Sequence, residues 1–250
     1  MAEPQETVVQ LLDAALAAGA TLAGICHVAD VKQAAQERAY PIWDTWLSDG
    51  RSVLVLALAH PRDKPELDWW GTENGTAGNH QLKQICEKLK SILAKRYNIK
   101  ANILGYQPGS MGLYLKDAAV LAGLGTIGDN NLLLTPGYGA GLRFRALLLD
   151  VDLPATPTQH PSPCATCLHF CWKACPQDAF ASGSYARLGC RAQMRVDELN
   201  RTAIETRERG WVTYVKYCRA CELACPAGRN GFKATQQTSR ISEVCKTSEI

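Results

Sequence analysis

Cys164-Ala-Thr-Cys167-Leu-His-Phe-Cys171-Trp-Lys-Ala-Cys175-Pro176 is the stretch on which the reading of this chain turns. It is completed downstream by a lone Cys190 and by Cys218-Arg-Ala-Cys221-Glu-Leu-Ala-Cys225-Pro226. Together these hold eight of the eleven cysteines. A [4Fe–4S] cubane takes four thiolates, three from a tight loop and one from a remote position, so eight serve two clusters. In two-cluster ferredoxins the cysteine before the proline ligates the other cluster, and proline fixes a turn that needs no backbone donor. The expected partition is Cys164, Cys167, Cys171 and Cys225 around one cluster and Cys175, Cys190, Cys218 and Cys221 around the other. Zinc or disulfides are the alternatives. Structural zinc, however, draws its pairs from separate Cys-x2-Cys knuckles rather than from a four-cysteine run ending in proline. One residue departs from the ferredoxin spacing: Leu168, His169 and Phe170 put three residues where C-x2-C-x2-C-x3-C-P has two.

Two clusters need only part of a 250-residue chain, so the first 150 residues or so have a core and a function of their own. The expected division is an α/β domain over 1–153, a proline-rich linker over 154–163, a cluster domain over 164–230 and a polar tail over 231–250. A formal charge of +3 with interspersed signs gives no nucleic-acid footprint. Apolar runs such as Ser52 to Ala59 are far too short to span a bilayer. Met1 to Thr7 is polar and runs into a helical pattern, without the charged and apolar regions of a secretory signal. Cluster thiolates and the unpaired Cys26, Cys86 and Cys245 suit a reducing compartment, and a cytoplasmic location is expected.

Residues 6–19 carry apolar side chains at helical spacing, and Gly19 precedes a strand over Thr21 to Cys26. Residues 51–60 read as a buried central strand ended by Pro61. Asp63 to Gly78 reads as a loop, His80 to Tyr97 as an amphipathic helix and residues 100–104 as a strand. Gln107 to Gly112 forms a second loop, Tyr114 to Leu124 a helix and Leu142 to Val151 a strand.

Gly123-Leu-Gly125-Thr-Ile-Gly128 matches G-x-G-x-x-G, a dinucleotide fingerprint only in a strand–turn–helix setting. Here Lys116 to Ala122, which precedes it, forms helix and no βαβ unit follows. The expected role is to end that helix and let backbone approach a large ligand.

The run Ala122 to Gly139, then Arg143 to Leu153, followed by the double-cluster cysteines, resembles the epoxyqueuosine reductase and reductive dehalogenase superfamily. The Arg51-Ser-Val-Leu-Val strand, Asn79-His80 and the position of Cys190 resemble the first of these families as well. The resemblance implies an α/β (α+β), nitroreductase-like domain holding cobalamin, followed by a ferredoxin-like double [4Fe–4S] domain that passes single electrons to the cobalt. Such clusters are one-electron donors, and the corrin does chemistry that side chains cannot. The loops Gly105 to Gly112, Gly123 to Asn131 and Pro136 to Gly141 would line the corrin. Gly123, Gly125, Gly128, Asn130, Tyr138, Gly139 and Arg143 are the expected cofactor-binding positions.

Several departures redirect the expected chemistry. Gly109 and Ser110 stand where epoxyqueuosine reductases carry their catalytic aspartate, and Gly128-Asp129-Asn130 replaces their Gly-Lys-Asn. The helical repeats with which that family contacts tRNA have no counterpart here, so tRNA is not the expected partner. Tyr106 is the candidate proton donor, since reductive dehalogenases use a tyrosine. Lys116, Arg143 and Arg145 are read as solvated charges or as counter-charges to a ligand, and Trp69 and Trp70 as a cover over a cofactor or a core edge. The expected function is reduction of a small substrate, or of the corrinoid itself, with electrons from a ferredoxin- or flavodoxin-like donor. The alternatives are an electron carrier or activator for a separate corrinoid protein and, less favoured, a flavin reductase.

Overall fold

Two eight-residue strands without a charge on their inner halves organise the first half of the chain. The computed structural model describes residues 4–38, 49–71, 75–105, 113–157, 160–206 and 210–228. In it β2 (Ser52–Ala59) lies between β1 (Leu22–His27) and β8 (Leu142–Leu149), and β5 (Ala101–Ile103) borders β8 on the far side. All three pairings are antiparallel, with Leu54 opposite Ile25 on one side and Leu147 on the other.

Alternation along β2 sends Leu54 and Leu56 to one face and Val53, Val55 and Ala57 to the other. Both faces are covered. Helices α1 (Pro4–Ala18) and α3 (Ala77–Tyr97) bury Leu11, Leu82, Leu89 and Leu93 against the first face. Helices α2 (Val28–Glu37) and α4 (Leu115–Leu121) bury Val28, Val31, Ala118 and Ala119 against the second. Burial on both faces is why this antiparallel strand reads as an unbroken apolar run rather than as an alternation.

The helix expected from His80 begins three residues earlier, because Thr76 Oγ1 accepts from the Asn79 N–H at 3.0 Å and so caps α3 at Ala77. The stretch expected as a loop from Asp63 contains a 3₁₀ turn (Pro65–Asp68) and the two-residue strands β3 (Trp70–Gly71) and β4 (Gly75–Thr76). Strands this short carry no period-two signal. They belong to a second sheet, ordered β4-β3-β10-β9, whose other strands are β9 (Thr202–Thr206) and β10 (Gly210–Val215). That sheet joins the two halves of the chain: Tyr214 pairs with Gly71 and Val215 with Trp70.

After α4 the glycine run leads into β6 (Thr126–Ile127), paired antiparallel with β7 (Leu133–Leu134), so a strand stands where a dinucleotide site requires a helix. The segment from Pro154 to Pro157 lies along β1: the Thr156 N–H donates to the Ile25 carbonyl, and the Thr156 hydroxyl accepts from the Ile25 N–H and donates to the Ala122 carbonyl.

Candidate functional site

Two one-turn helices, α5 (Phe170–Lys173) and α7 (Ala220–Ala224), pack on each other and bring Cys171 and Cys225 into one neighbourhood. Burial raises the pKa of the Cys171 thiol, and the neighbouring Cys225 and Cys164 add to it. Cys225 is raised by burial and then by Cys164 and Cys167. In the other group, burial pushes Cys221 up to about 12, with Cys218, Cys190 and Cys175 contributing. Cys218 is raised by burial, then by Asp197, Cys175 and Cys190. Cys171 and Cys225 thus feel each other and Cys164, while Cys218 and Cys221 both feel Cys175 and Cys190.

Backbone N–H groups point at three of the sulfurs: Asp129 to Cys164 (3.4 Å), Ala179 to Cys175 (3.3 Å) and Ala220 to Cys218 (3.5 Å). Such donors favour thiolate and tune a bound cluster. Among the described residues no three His, Cys, Asp or Glu side chains gather about a single ion. One zinc would draw its sulfurs to about 2.3 Å from one point, whereas a cubane takes its thiolates at four separate corners.

The residue inserted between Cys167 and Cys171 also has a place. His169 adopts a left-handed backbone (φ 51°), its ring lies 4.2 Å from that of Trp172, and its Nε2 meets Asp129 Oδ2 at 2.7 Å. Insertion and acidic substitution are therefore one contact between the cysteine loop and the glycine-rich segment.

A buried charge network lies between the sheet and α7. Arg143 on β8 donates from Nε to Asp68 Oδ1 and from Nη2 to Glu222 Oε2, each at 2.8 Å. Arg219 meets Asp68 Oδ2 at 2.6 Å and Glu222 Oε1 at 2.5 Å, and the His60 Nδ1 shares Asp68 Oδ1 at 2.9 Å. Burial works to raise the Asp68 pKa, but His60, Arg143 and Arg219 outweigh it and hold the carboxyl below its ordinary value. Burial likewise opposes the Arg143 charge, and Glu222 and Asp68 more than restore it.

A cavity of about 330 Å³ opens beside this network, walled by Trp70, Leu82, Tyr114, Lys116, Phe144 and Arg145 among others. Lys116 Nζ sits 5.1 Å from the Tyr114 ring centroid and donates to the Asn131 carbonyl. Asn131 belongs to a second cavity of about 340 Å³, lined by Gly128, Asp129, Trp172 and Tyr185. Tyr185 stands between: it hydrogen-bonds Cys190 and feels both Cys221 and Tyr114, which with burial raise its pKa. On another side, the Trp70 ring meets that of Tyr217, the neighbour of Cys218, at 6.0 Å. Cys190 thus reaches the second cavity through Tyr185, and Tyr217, next to Cys218, touches the wall of the first through Trp70.

The expected cofactor-binding positions separate into groups. A Cβ at Gly123 would fall 2.2 Å from the Pro157 carbonyl, at Gly125 2.2 Å from that of Leu134 and at Gly139 2.0 Å from that of Ala227. These glycines admit close passage of the chain's own backbone. Gly128 lines the second cavity. Asn130 is buried and accepts from the Leu132 N–H, while its Nδ2 has no hydrogen-bond partner among the described residues. Tyr138 borders a cavity of only about 20 Å³ near Ala227. Arg143, Arg145 and Lys116, read as solvated or ligand-facing charges, line the cavity of about 330 Å³. Trp70 lines it too, whereas Trp69 packs on Tyr214, with rings 5.9 Å apart, and on Lys216. Tyr106, the loop from Gln107 to Gly112, Cys245 and the 231–250 tail lie outside the described residues. Sequence reasoning missed Asp68, Tyr114, Tyr185, Arg219 and Glu222, whose spacing carries no motif.

No family model matches the chain. An epoxyqueuosine reductase from Gloeobacter violaceus is 35% identical over 113 residues, 43% of this chain and 34% of that protein. Those from Lactococcus garvieae and Listeria monocytogenes are 25% identical over 72% and 78% of the chain, and 52% of each protein. The chain is thus similar in sequence to epoxyqueuosine reductases and shares the fold of these enzymes and of reductive dehalogenases. It spans about half the length, or less, of these curated relatives. The fold of Streptococcus thermophilus epoxyqueuosine reductase aligns with a TM-score of 0.59 at 16% identity, over 88% of this chain and 66% of that one. A reductive dehalogenase described in terms of B12-dependent dehalogenation aligns at 0.52 and 17% identity, over 71% of this chain and 26% of that one.

Proposed function

We propose that this protein is an iron–sulfur reductase with two [4Fe–4S] clusters and a cobalamin. In this reading an external low-potential carrier supplies single electrons, and the substrate is a small molecule or the corrinoid itself. The observation that carries the reading is the gathering of the clustered thiols by α5 and α7 close to a cavity with apolar, aromatic and cationic walls, whose Trp70 meets Tyr217 beside Cys218.

The donor chemistry fits two cubanes, since all eight groups are thiols and neutral burial is relieved when metal displaces their protons. The cavity of about 330 Å³ fits part of a flat macrocycle with a polar amide rim. Trp70, Leu82 and Phe144 offer flat apolar contact, and Lys116, Arg145 and Asn79 offer polar contact at the edge. Cobalamin, when bound, supplies a redox-active cobalt that can be reduced one electron at a time. In this reading Tyr114, which lines the cavity with Lys116 Nζ over its ring, is the proton donor.

The absence of an acidic residue at Gly109 and Ser110 supports a substrate other than the modified tRNA of the named relatives. Anaerobic reconstitution with iron and sulfide analysis, followed by cobalamin titration under EPR, tests the proposal. About eight iron atoms per chain with a perturbed cobalt signal is the expected result. Eight irons without a cobalt response would instead favour an electron carrier acting on a separate corrinoid protein.

A further inference from the structure

Helix α6 (Arg187–Leu199) carries Cys190 and has no buried residue. At 100° per residue, Gly189, Cys190, Gln193 and Asp197 share the half-buried face, and Arg187, Leu188, Arg191, Arg195, Glu198 and Leu199 share the opposite one, with three cations against one carboxylate. Leu188 is 82% and Leu199 86% exposed, unusual for leucine on a helix with so little to bury. The three guanidinium groups lie four residues apart in one stripe, and none has an ion-pair partner among the described residues. The helix's carboxylates are used elsewhere. Asp197 accepts from the Cys218 N–H and from Gln193, and Glu198 from the Tyr217 hydroxyl. The outward surface is therefore a positive stripe with two bare leucines, one helix thickness from the second thiol set.

We propose that this face of α6 docks an acidic one-electron carrier protein, an inference that rests on the two-cluster reading above. Unpaired arginines attract and orient an acidic surface, and exposed leucines supply the apolar contact found at the centre of protein interfaces. In each encounter the carrier is oxidised by one electron and the second cluster is reduced by one. The bound partner stands about one helix diameter, roughly 10–12 Å, from that cluster. A nucleic-acid phosphate would use the arginines and leave Leu188 and Leu199 without a role.

The test is stopped-flow bleaching of the reconstituted full chain by reduced plant-type ferredoxin, an acidic probe, set against dithionite, which needs no docking. R187E/R191E/R195E is expected to slow the ferredoxin reaction at least about tenfold at low salt while iron content and the dithionite rate hold. The wild-type rate should fall as salt screens the stripe, and the variant's should not. The milder R191Q/R195Q, whose fold is under less strain, should show a smaller loss of the same kind. Unchanged ferredoxin rates in variants that keep their iron would overturn the docking surface alone. So would retained rates accompanied by lost binding of an RNA stem-loop or of a second copy of the chain. A wild-type protein that never takes up about eight irons would overturn the two-cluster reading, and the docking surface with it.

Discussion

Arg143 reaches an aspartate 75 residues before it and a glutamate 79 residues after it. Nothing near any of the three in sequence announces the contact. Its charge was legible, but its direction was not, because that depends on β8 lying beside the Pro65–Asp68 turn and α7. The Asp68 carboxyl is held below its ordinary pKa, so it contributes stability that is full above the unfolded value near 3.9 and is lost as pH falls through the folded one. D68N should therefore lower stability at neutral pH by about 3 kcal/mol, the cost of leaving buried partners unpaired. Its denaturation midpoint should then vary less than the wild type's between about pH 4 and pH 2, which urea titrations at stepped pH would reveal. Gly139 is a second case. With φ +54° and a Cβ position 2.0 Å from the Ala227 carbonyl, G139A should cost more than about 2 kcal/mol in the same assay. Y114F, which leaves the ring in place, should reduce substrate turnover about a hundredfold with iron content unchanged; equal turnover would remove Tyr114 from the proton path.

At the scale of elements, the long ones were legible and the short ones were not. Ser52–Ala59, Leu142–Leu149 and α3 declare themselves by apolar run or helical period, whereas β3, β4 and the β9–β10 hairpin are too short or too polar. The glycine run was legible as a helix stop. What its glycines approach was not, since Leu134, Pro157 and Ala227 come near only through tertiary folding. The cysteine grouping has its own consequence. Cys221 and Cys225 stand on the same single-turn helix and its C-cap, yet the proposed partition gives them to different clusters. C221S and C225S should each retain about four irons of about eight, but the surviving clusters should differ in EPR signature. Identical spectra from the two variants would refute the crossed arrangement.

Across the whole molecule, the cysteine-bearing half and the sheet-bearing half are held together by strand pairing, by the Arg143 network and by the apposition of Gly139 and Gly228. Cluster loss should therefore be felt far from the cysteines. Stripping iron with a chelator is expected to lower the melting temperature of the main helical far-UV signal by about 5 °C or more, equivalent to roughly 2 kcal/mol for a chain this size. An unmoved helical transition would show that the halves melt independently.

The β3–β10 pairing also sets a timetable for biosynthesis. Gly71 meets Tyr214, which follows it by 214 minus 71, or 143, residues. At about 5–20 residues per second, β3 leaves the ribosome roughly 7 to 30 s before its partner exists. For that interval the nascent chain presents an open strand edge and an incomplete cavity wall, while five of the eight clustered thiols, Cys164 to Cys190, are already being made. Cys218, Cys221 and Cys225 follow Tyr214, so on the two-cluster reading the seam strand is synthesised before either thiol set is complete.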